Sequence, residues 1–154
     1  MAGVIGTQLI AQVGFIVKDV ETTKRKWAEF LGVPVPETQP CGDYAVTQTV
    51  FEGKPAPEAS SLLAFLDIGP GIQLELIQPN EAPSTWRNFL NEHGEGIHHI
   101  AFQVKNSAEK VASAEAAGLR LVQHGKYGDG GGEYNYLDAP DLKCIIELLE
   151  SYGK

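Results

Sequence analysis

Two stretches of the chain carry the same alternation of apolar and polar positions. Gln12-Val-Gly-Phe-Ile-Val-Lys-Asp-Val20 and His99-Ile-Ala-Phe-Gln-Val-Lys-Asn-Ser107 superimpose with Phe, Val and Lys coinciding. Their β-branched and aromatic content predicts strands, in which neighbouring side chains face opposite ways. Each stretch runs on into a helical pattern, Val20 to Leu31 stopped by Gly32 and Ser107 to Ala117 stopped by Gly118, with Asn106 or Ser107 as the second N-cap. Each copy then closes on an apolar strand with a central glutamate, Ile72-Gln-Leu-Glu-Leu-Ile77 and Cys144-Ile-Ile-Glu-Leu-Leu149. The pattern reads as βαβββ twice in one α+β domain spanning 1–154, with repeat one over about 8–80 and repeat two over about 96–150.

Further strands are expected around Tyr44 to Phe51, Leu62 to Ile68, Arg120 to Gln123 and Tyr134 to Leu137. Glu52 to Ser61 reads as an exposed hairpin loop, and Gln78 to Ser84 as a turn into a short helix, Thr85 to His93. Gly125 to Glu133 reads as a mobile loop, whose glycines lack the spacing of a dinucleotide cradle. Trp86 and Phe89, at helical spacing, are expected to staple that short helix to the sheet, and Cys144 to pack as a small hydrophobe.

Parity sorts the strand faces. Val13, Phe15 and Val17, with Ile100, Phe102 and Val104, form apolar faces suited to helix packing, whereas Gln12 and Gly14, with His99 and Ala101, combine a polar group with a tiny residue. The tiny residues leave open space before the sheet. Mid-strand Glu75 and Glu147 face the same way, and an unpartnered carboxylate there would be costly. Gln12, Glu75, His99 and Glu147 thus occupy equivalent repeat positions. A divalent cation would satisfy all four at once; two glutamates hydrogen-bonded to Gln12 and His99 without metal would serve the residues equally well. Strand parity places His98 on the opposite face, away from the cluster.

Composition narrows the partners. The balance of 43% hydrophobic and 21% charged residues is that of a globular protein, and the formal net charge of −8 disfavours nucleic acid. The apolar N-terminal run is broken by Gln8, Gln12 and glycines and has no basic leader, so no membrane span or signal is expected and the cytoplasm is the default. Cys41 and Cys144 suggest no disulfide framework. No nucleophile elbow is present, and Lys126, Tyr127, Tyr134 and Tyr136 flank the glycine loop where they could close over a substrate.

The two βαβββ copies, Gly94-Glu-Gly-Ile-His-His-Ile-Ala-Phe102, Gln73-Leu-Glu-Leu-Ile-Gln-Pro79 and Asp138-Ala-Pro-Asp-Leu-Lys-Cys-Ile-Ile-Glu147 resemble the vicinal oxygen chelate superfamily, which includes glyoxalases, bleomycin resistance proteins and dioxygenases. The resemblance runs over essentially the whole chain and is strongest to methylmalonyl-CoA epimerases and glyoxalase I-like proteins. It implies a cupped mixed sheet with helices on the outer face, and metal ligands at Gln12, Glu75, His99 and Glu147. The chain departs from those families in having Tyr134-Asn-Tyr-Leu-Asp138 ahead of the last strand and Lys26-Trp27 in the first helix, and in lacking an arginine set for glutathione.

The expected activity is therefore that of a metal-dependent epimerase, isomerase or lyase. It would move a proton at carbon next to a carbonyl in a small carbonyl compound or acyl thioester, with the enediolate held by Zn, Ni, Co or Mn. Glu75 and Glu147 are the candidate acid and base. The alternatives are a metal-free binding protein of the same fold and an iron-dependent dioxygenase, the latter disfavoured because only His99 is available where two histidines are usual. An open sheet with exposed edges further predicts a homodimer.

Overall fold

A computed structural model describes residues 3–153; Met1, Ala2 and Lys154, at the ends of the expected domain, lie outside them. The first repeat is β1 (Ile10–Ile16), α1 (Val20–Leu31), β2 (Gln39–Pro40), β5 (Ser61–Gly69) and β6 (Ile72–Pro79). Between β2 and β5 the chain makes α2 (Tyr44–Thr47), β3 (Val50–Phe51) and β4 (Lys54–Pro55). Then come α3 (Thr85–His93) and the second repeat: β7 (Gly96–Gln103), α4 (Ser107–Ala116), β8 (Arg120–Lys126), β9 (Gly132–Ala139) and β10 (Cys144–Ser151).

The described residues form one mixed sheet in the order β2-β5-β6-β1-β7-β10-β9-β8-β3-β4. Each repeat places its last strand parallel to its first, β6 on β1 and β10 on β7, and the repeats meet where β1 and β7 pair antiparallel. The internal symmetry of the sequence is thus a symmetry of the sheet. The first repeat's second strand, however, is only Gln39–Pro40. The 44–51 segment is not the expected strand. It makes one helical turn, reverses at Gln48 (φ 52°), and lends Val50 and Phe51 to the free edge of β8 in the other repeat. Residues 41–50 therefore form a strap from one side of the cup to the other, a path that no local pattern encodes.

The helices begin and end for local reasons. Asp19 accepts from the Thr22 N–H (3.2 Å) and Gly32 closes α1 at φ 71°; Ser84 accepts from the Arg87 N–H (2.9 Å) to start α3. At α4 the cap comes from elsewhere: Asn106 makes no side-chain cap bond, and the Glu150 carboxylate of β10 accepts from the Ser107 N–H at 2.9 Å. α1 packs on Ala64, Leu66, Leu74 and Leu76, and α4 belongs to the cluster of Leu137, Ile146 and Leu148, so the apolar strand faces lie under these outer helices. Each fully buried leucine among them contributes about 1.5–3 kcal/mol. α3 differs: its Trp86 packs with Ile16, Ile77 and Tyr136 inside the cup.

The glycine-rich segment is also more regular than expected. β8 continues to Lys126 and β9 begins at Gly132, leaving a turn closed by Tyr127 N–H to Gly132 O (2.9 Å) and Gly131 N–H to Asp129 Oδ1 (2.7 Å). The expected loop at 52–61 likewise contains the short strand β4.

Candidate functional site

The inter-strand register explains why four distant polar residues meet. Gly14 of β1 lies beside Glu75 of β6 on one side and His99 of β7 on the other, so a glycine separates the glutamate from the histidine. One step along, Ala101 of β7 lies between Gln12 of β1 and Glu147 of β10. In each row the polar side chains reach toward each other over a residue with little or no side chain. A Cβ built on Gly14 would overlap the His99 imidazole, so glycine is required there for space.

His99 Nε2 sits 2.8 Å from a Glu147 oxygen, 3.6 Å from Glu75 Oε1 and 2.8 Å from Gln12 Oε1. Among the described residues, Glu75, His99 and Glu147 form a buried trio whose ligating atoms all lie within 4.8 Å of one another. Gln12 completes the four expected from the sequence. Its Nε2 donates to Gln73 Oε1 at 2.9 Å, which turns the amide oxygen toward the carboxylates. Turned over, the amide would instead donate to His99 Nε2 (2.8 Å), Glu147 (3.0 Å) and Glu75 (3.3 Å), the orientation that better satisfies the hydrogen bonds without a cation. Orientations of an amide are told apart by what they bond. An inward oxygen among carboxylate oxygens is an arrangement that a shared cation satisfies, and the set of one imidazole nitrogen, two carboxylates and an amide oxygen suits a divalent ion of the first transition series.

The electrostatics agree. Burial, reinforced by the nearby Glu147, pushes the Glu75 carboxyl up to about 8 against the opposing pull of His99. Burial works against charge on His99, but the Glu147 and Glu75 carboxylates override it and raise its pKa. Without a cation Glu75 and His99 therefore hold their protons to higher pH than they would in water.

The site floors a cavity of about 750 Å3. Leu63, Phe65, Ile77 and Trp86 form apolar wall, Tyr134 and Tyr136 add hydroxyls, and Gln39, Cys41, Lys126 and Asp129 lie among its lining residues. The Trp86 indole N–H donates to the Tyr136 hydroxyl (3.1 Å), so the expected staple is also part of the pocket wall. The Tyr136 ring lies 5.2 Å from that of His99, and burial holds its hydroxyl well above the usual phenol range.

One expected placement is corrected. His98 is not on the opposite face: the β1–β7 register shifts between Gly14 and Phe15, opposite His99 and Ile97, which leaves His98 as the extra residue of a bulge. Its Nδ1 lies 2.9 Å from Nδ1 of His99. Gln73, Thr85 and Tyr136 also serve the site beyond the four expected residues. Gln73 shares the strand face of Glu75, which was a signal in the sequence; Thr85 had none, because α3 brings it in from outside the repeat.

The family model of the Glyoxalase/Bleomycin resistance protein/Dioxygenase superfamily matches residues 11–136. An ethylmalonyl-CoA/methylmalonyl-CoA epimerase of Cereibacter sphaeroides is 26% identical over 140 residues, 88% of this chain and 92% of that protein. An uncharacterized protein of Bacillus subtilis, YqjC, is 29% identical over 93 residues, 59% of this chain and 66% of its own length. The crystal structure of methylmalonyl-CoA epimerase from Mycobacterium tuberculosis shares the fold, with a TM-score of 0.65 at 20% identity, covering 92% of this chain and 87% of that one. With the family model matched over residues 11–136, most of the chain, the protein belongs to the glyoxalase/bleomycin resistance/dioxygenase superfamily, the proteins of the vicinal oxygen chelate fold.

Proposed function

We propose that the chain is a divalent-cation-dependent enzyme that moves a proton at the carbon next to a carbonyl, as an epimerase, isomerase or related lyase. The carrying observation is the convergence of His99 Nε2 with the buried Glu75 and Glu147 carboxylates, with the Gln12 amide beside them and Gln12, Glu75 and Glu147 lining one cavity. These four residues would hold Zn, Ni, Co or Mn. A bound cation would polarise the substrate carbonyl and offset the charge that develops as the α-proton leaves.

The chain's own groups supply the rest. Glu75 and Glu147 arrive from β6 and β10, strands on opposite sides of the β1–β7 seam, which suits one carboxylate to take the proton and the other to return it from the far side. Glu147 or Glu75, loosened from the cation, would be the general base, and the other glutamate would return the proton. Trp86, Tyr134, Tyr136 and Ile77 exclude water around the reacting carbon. The Cereibacter sphaeroides relative makes acyl-CoA thioesters the first substrates to try.

A metal-free binding protein would have to keep two carboxylates buried around one histidine, and an iron dioxygenase would need a second nitrogen ligand where His98 instead turns to Thr85. Among the described residues no helix is long and apolar enough to cross a membrane. A homodimer belongs to this reading, although the two edge strands are each two residues long and contain proline, Pro40 and Pro55, which disfavours the edge pairing expected of an open sheet. Light scattering that gives a mass near 16.6 kDa at micromolar concentration would count against the dimer.

The test of function is metal analysis of tag-free protein, followed by proton exchange of methylmalonyl-CoA and small α-hydroxy ketones in heavy water. Cation-dependent loss of the α-proton signal is expected. A loaded protein that exchanges none of them overturns the reading.

A further inference from the structure

We propose that His98 is a positioning residue: through a hydrogen-bonded chain Thr85–His98–His99 it fixes which nitrogen of His99 carries the proton, and so presents the Nε2 lone pair to the cation site. The inference rests on the cation reading above.

The bulge places the His98 ring beside His99, and both rings are buried, His98 at 1% exposure. A side chain that only filled space there could be aliphatic. A buried imidazole is costly unless its nitrogens are partnered, and both are. Nδ1 lies 2.9 Å from His99 Nδ1, and Nε2 lies 3.1 Å from Thr85 Oγ1. Phe89 and Tyr136 stand edge-on to the ring at 5.3 and 5.2 Å. Thr85 is itself fixed, since its backbone N–H donates to Gln123 Oε1 at 2.9 Å at the start of α3.

Proton accounting gives the direction. Two Nδ1 atoms 2.9 Å apart can share only one hydrogen. For a neutral His99 to offer Nε2 as a ligand, its proton must sit on Nδ1 and be donated to His98. His98 Nδ1 must then be bare, with its proton on Nε2, donated to the Thr85 hydroxyl. The opposite tautomer of His98 would put two N–H groups face to face. Partners behind a ligating histidine set ring aim and basicity in this way, and their loss typically costs about 10–100-fold in metal affinity.

Two experiments decide it. In 15N-labelled wild-type protein, two-bond 15N–1H spectra should show His98 protonated on Nε2 and bare on Nδ1, with and without Zn2+. A proton on His98 Nδ1 overturns the proposal. In Zn2+ titrations His98→Leu, which keeps bulk but offers no acceptor, should raise Kd by about 10–100-fold. His98→Asn, whose oxygen can take the place of Nδ1, should recover most of that loss. Wild-type affinity in His98→Leu, or equal losses in both variants, would mean that His98 only packs. Should His98→Leu fail to fold, Thr85→Val removes the far end of the chain while keeping its shape; a several-fold weaker Kd is expected, and an unchanged one overturns the proposal. If the wild type takes up no Zn, Ni, Co or Mn, the cation reading falls by itself, and the spectra of the metal-free protein still decide the tautomer.

Discussion

His99 Nε2 and a Glu147 carboxylate oxygen lie 2.8 Å apart because parallel pairing of β10 on β7 sets Glu147 beside Ala101, one pleat from the histidine. The same arrangement recurs across Gly14 between Glu75 and His99, so the centre depends on two residues too small to fill the space in front of them.

Gly14→Ala tests that dependence. The new methyl would occupy the volume of the His99 ring, which must rotate or shift with its strand. Overpacking of this kind costs about 1–3 kcal/mol, and the displaced imidazole leaves the ligand set. Lower thermal stability and at least tenfold weaker metal binding are expected. Unchanged metal affinity would show that His99 does not need its present position.

Gly128→Ala separates the mouth of the cavity from its floor. A Cβ at Gly128 would stand 2.7 Å from the Cys41 carbonyl oxygen, so the β8–β9 turn would have to move off the strap. Both segments line the cavity and neither supplies a proposed metal ligand. A raised KM with metal affinity within about twofold of wild type is the expected outcome, read by steady-state kinetics and metal titration.

Glu147→Gln separates binding from chemistry. The amide keeps size and an oxygen donor but cannot accept the substrate proton. The loaded variant should exchange a substrate α-proton with heavy water more slowly by a factor on the order of 10² or more. Wild-type exchange by the metal-loaded Glu75→Gln/Glu147→Gln double variant would remove both glutamates from the mechanism.

The metal-free protein should lose stability as pH rises from about 6.5 to 8. Glu75 is raised to about 8 from an ordinary 4.5, and His99 is raised from 6.5, so over this window the native state holds protons that the unfolded chain releases. Their contribution is complete below the unfolded values and is lost through the folded ones. His98 acts with the opposite sign: burial first, then the neighbouring His99, lowers its pKa, so its contribution is lost as pH falls below about 6.5. Denaturant melts across this range should show the alkaline decline without metal. It should be smaller with Zn2+, whose charge replaces the protons, and metal uptake near pH 7 should release protons measurable by calorimetry in buffers of different ionisation heat.

Gln12, Glu75, His99 and Glu147 could be picked out of the chain because strand periodicity and internal repetition are local properties: each residue sits at a matching place in a short apolar run, and alternation then assigns its face. The bounds of α1 and α3 were legible for the same reason, through Gly32, Ser84 and the apolar spacing. What lay beyond the sequence depends on pairing between strands. The bulge that turns His98 toward His99 exists only against Gly14 and Phe15 of β1, and the Gln12–Gln73 amide pair exists only in the parallel register of β6. The 44–51 segment has strand composition, yet it became a helical turn and a two-residue strand because its partner, β8, belongs to the other repeat and pairs only with Val50 and Phe51. Periodicity decides which way a side chain faces within its own strand; which groups then meet, and at what distance, is decided by register and by helices such as α3 that arrive from outside the repeat.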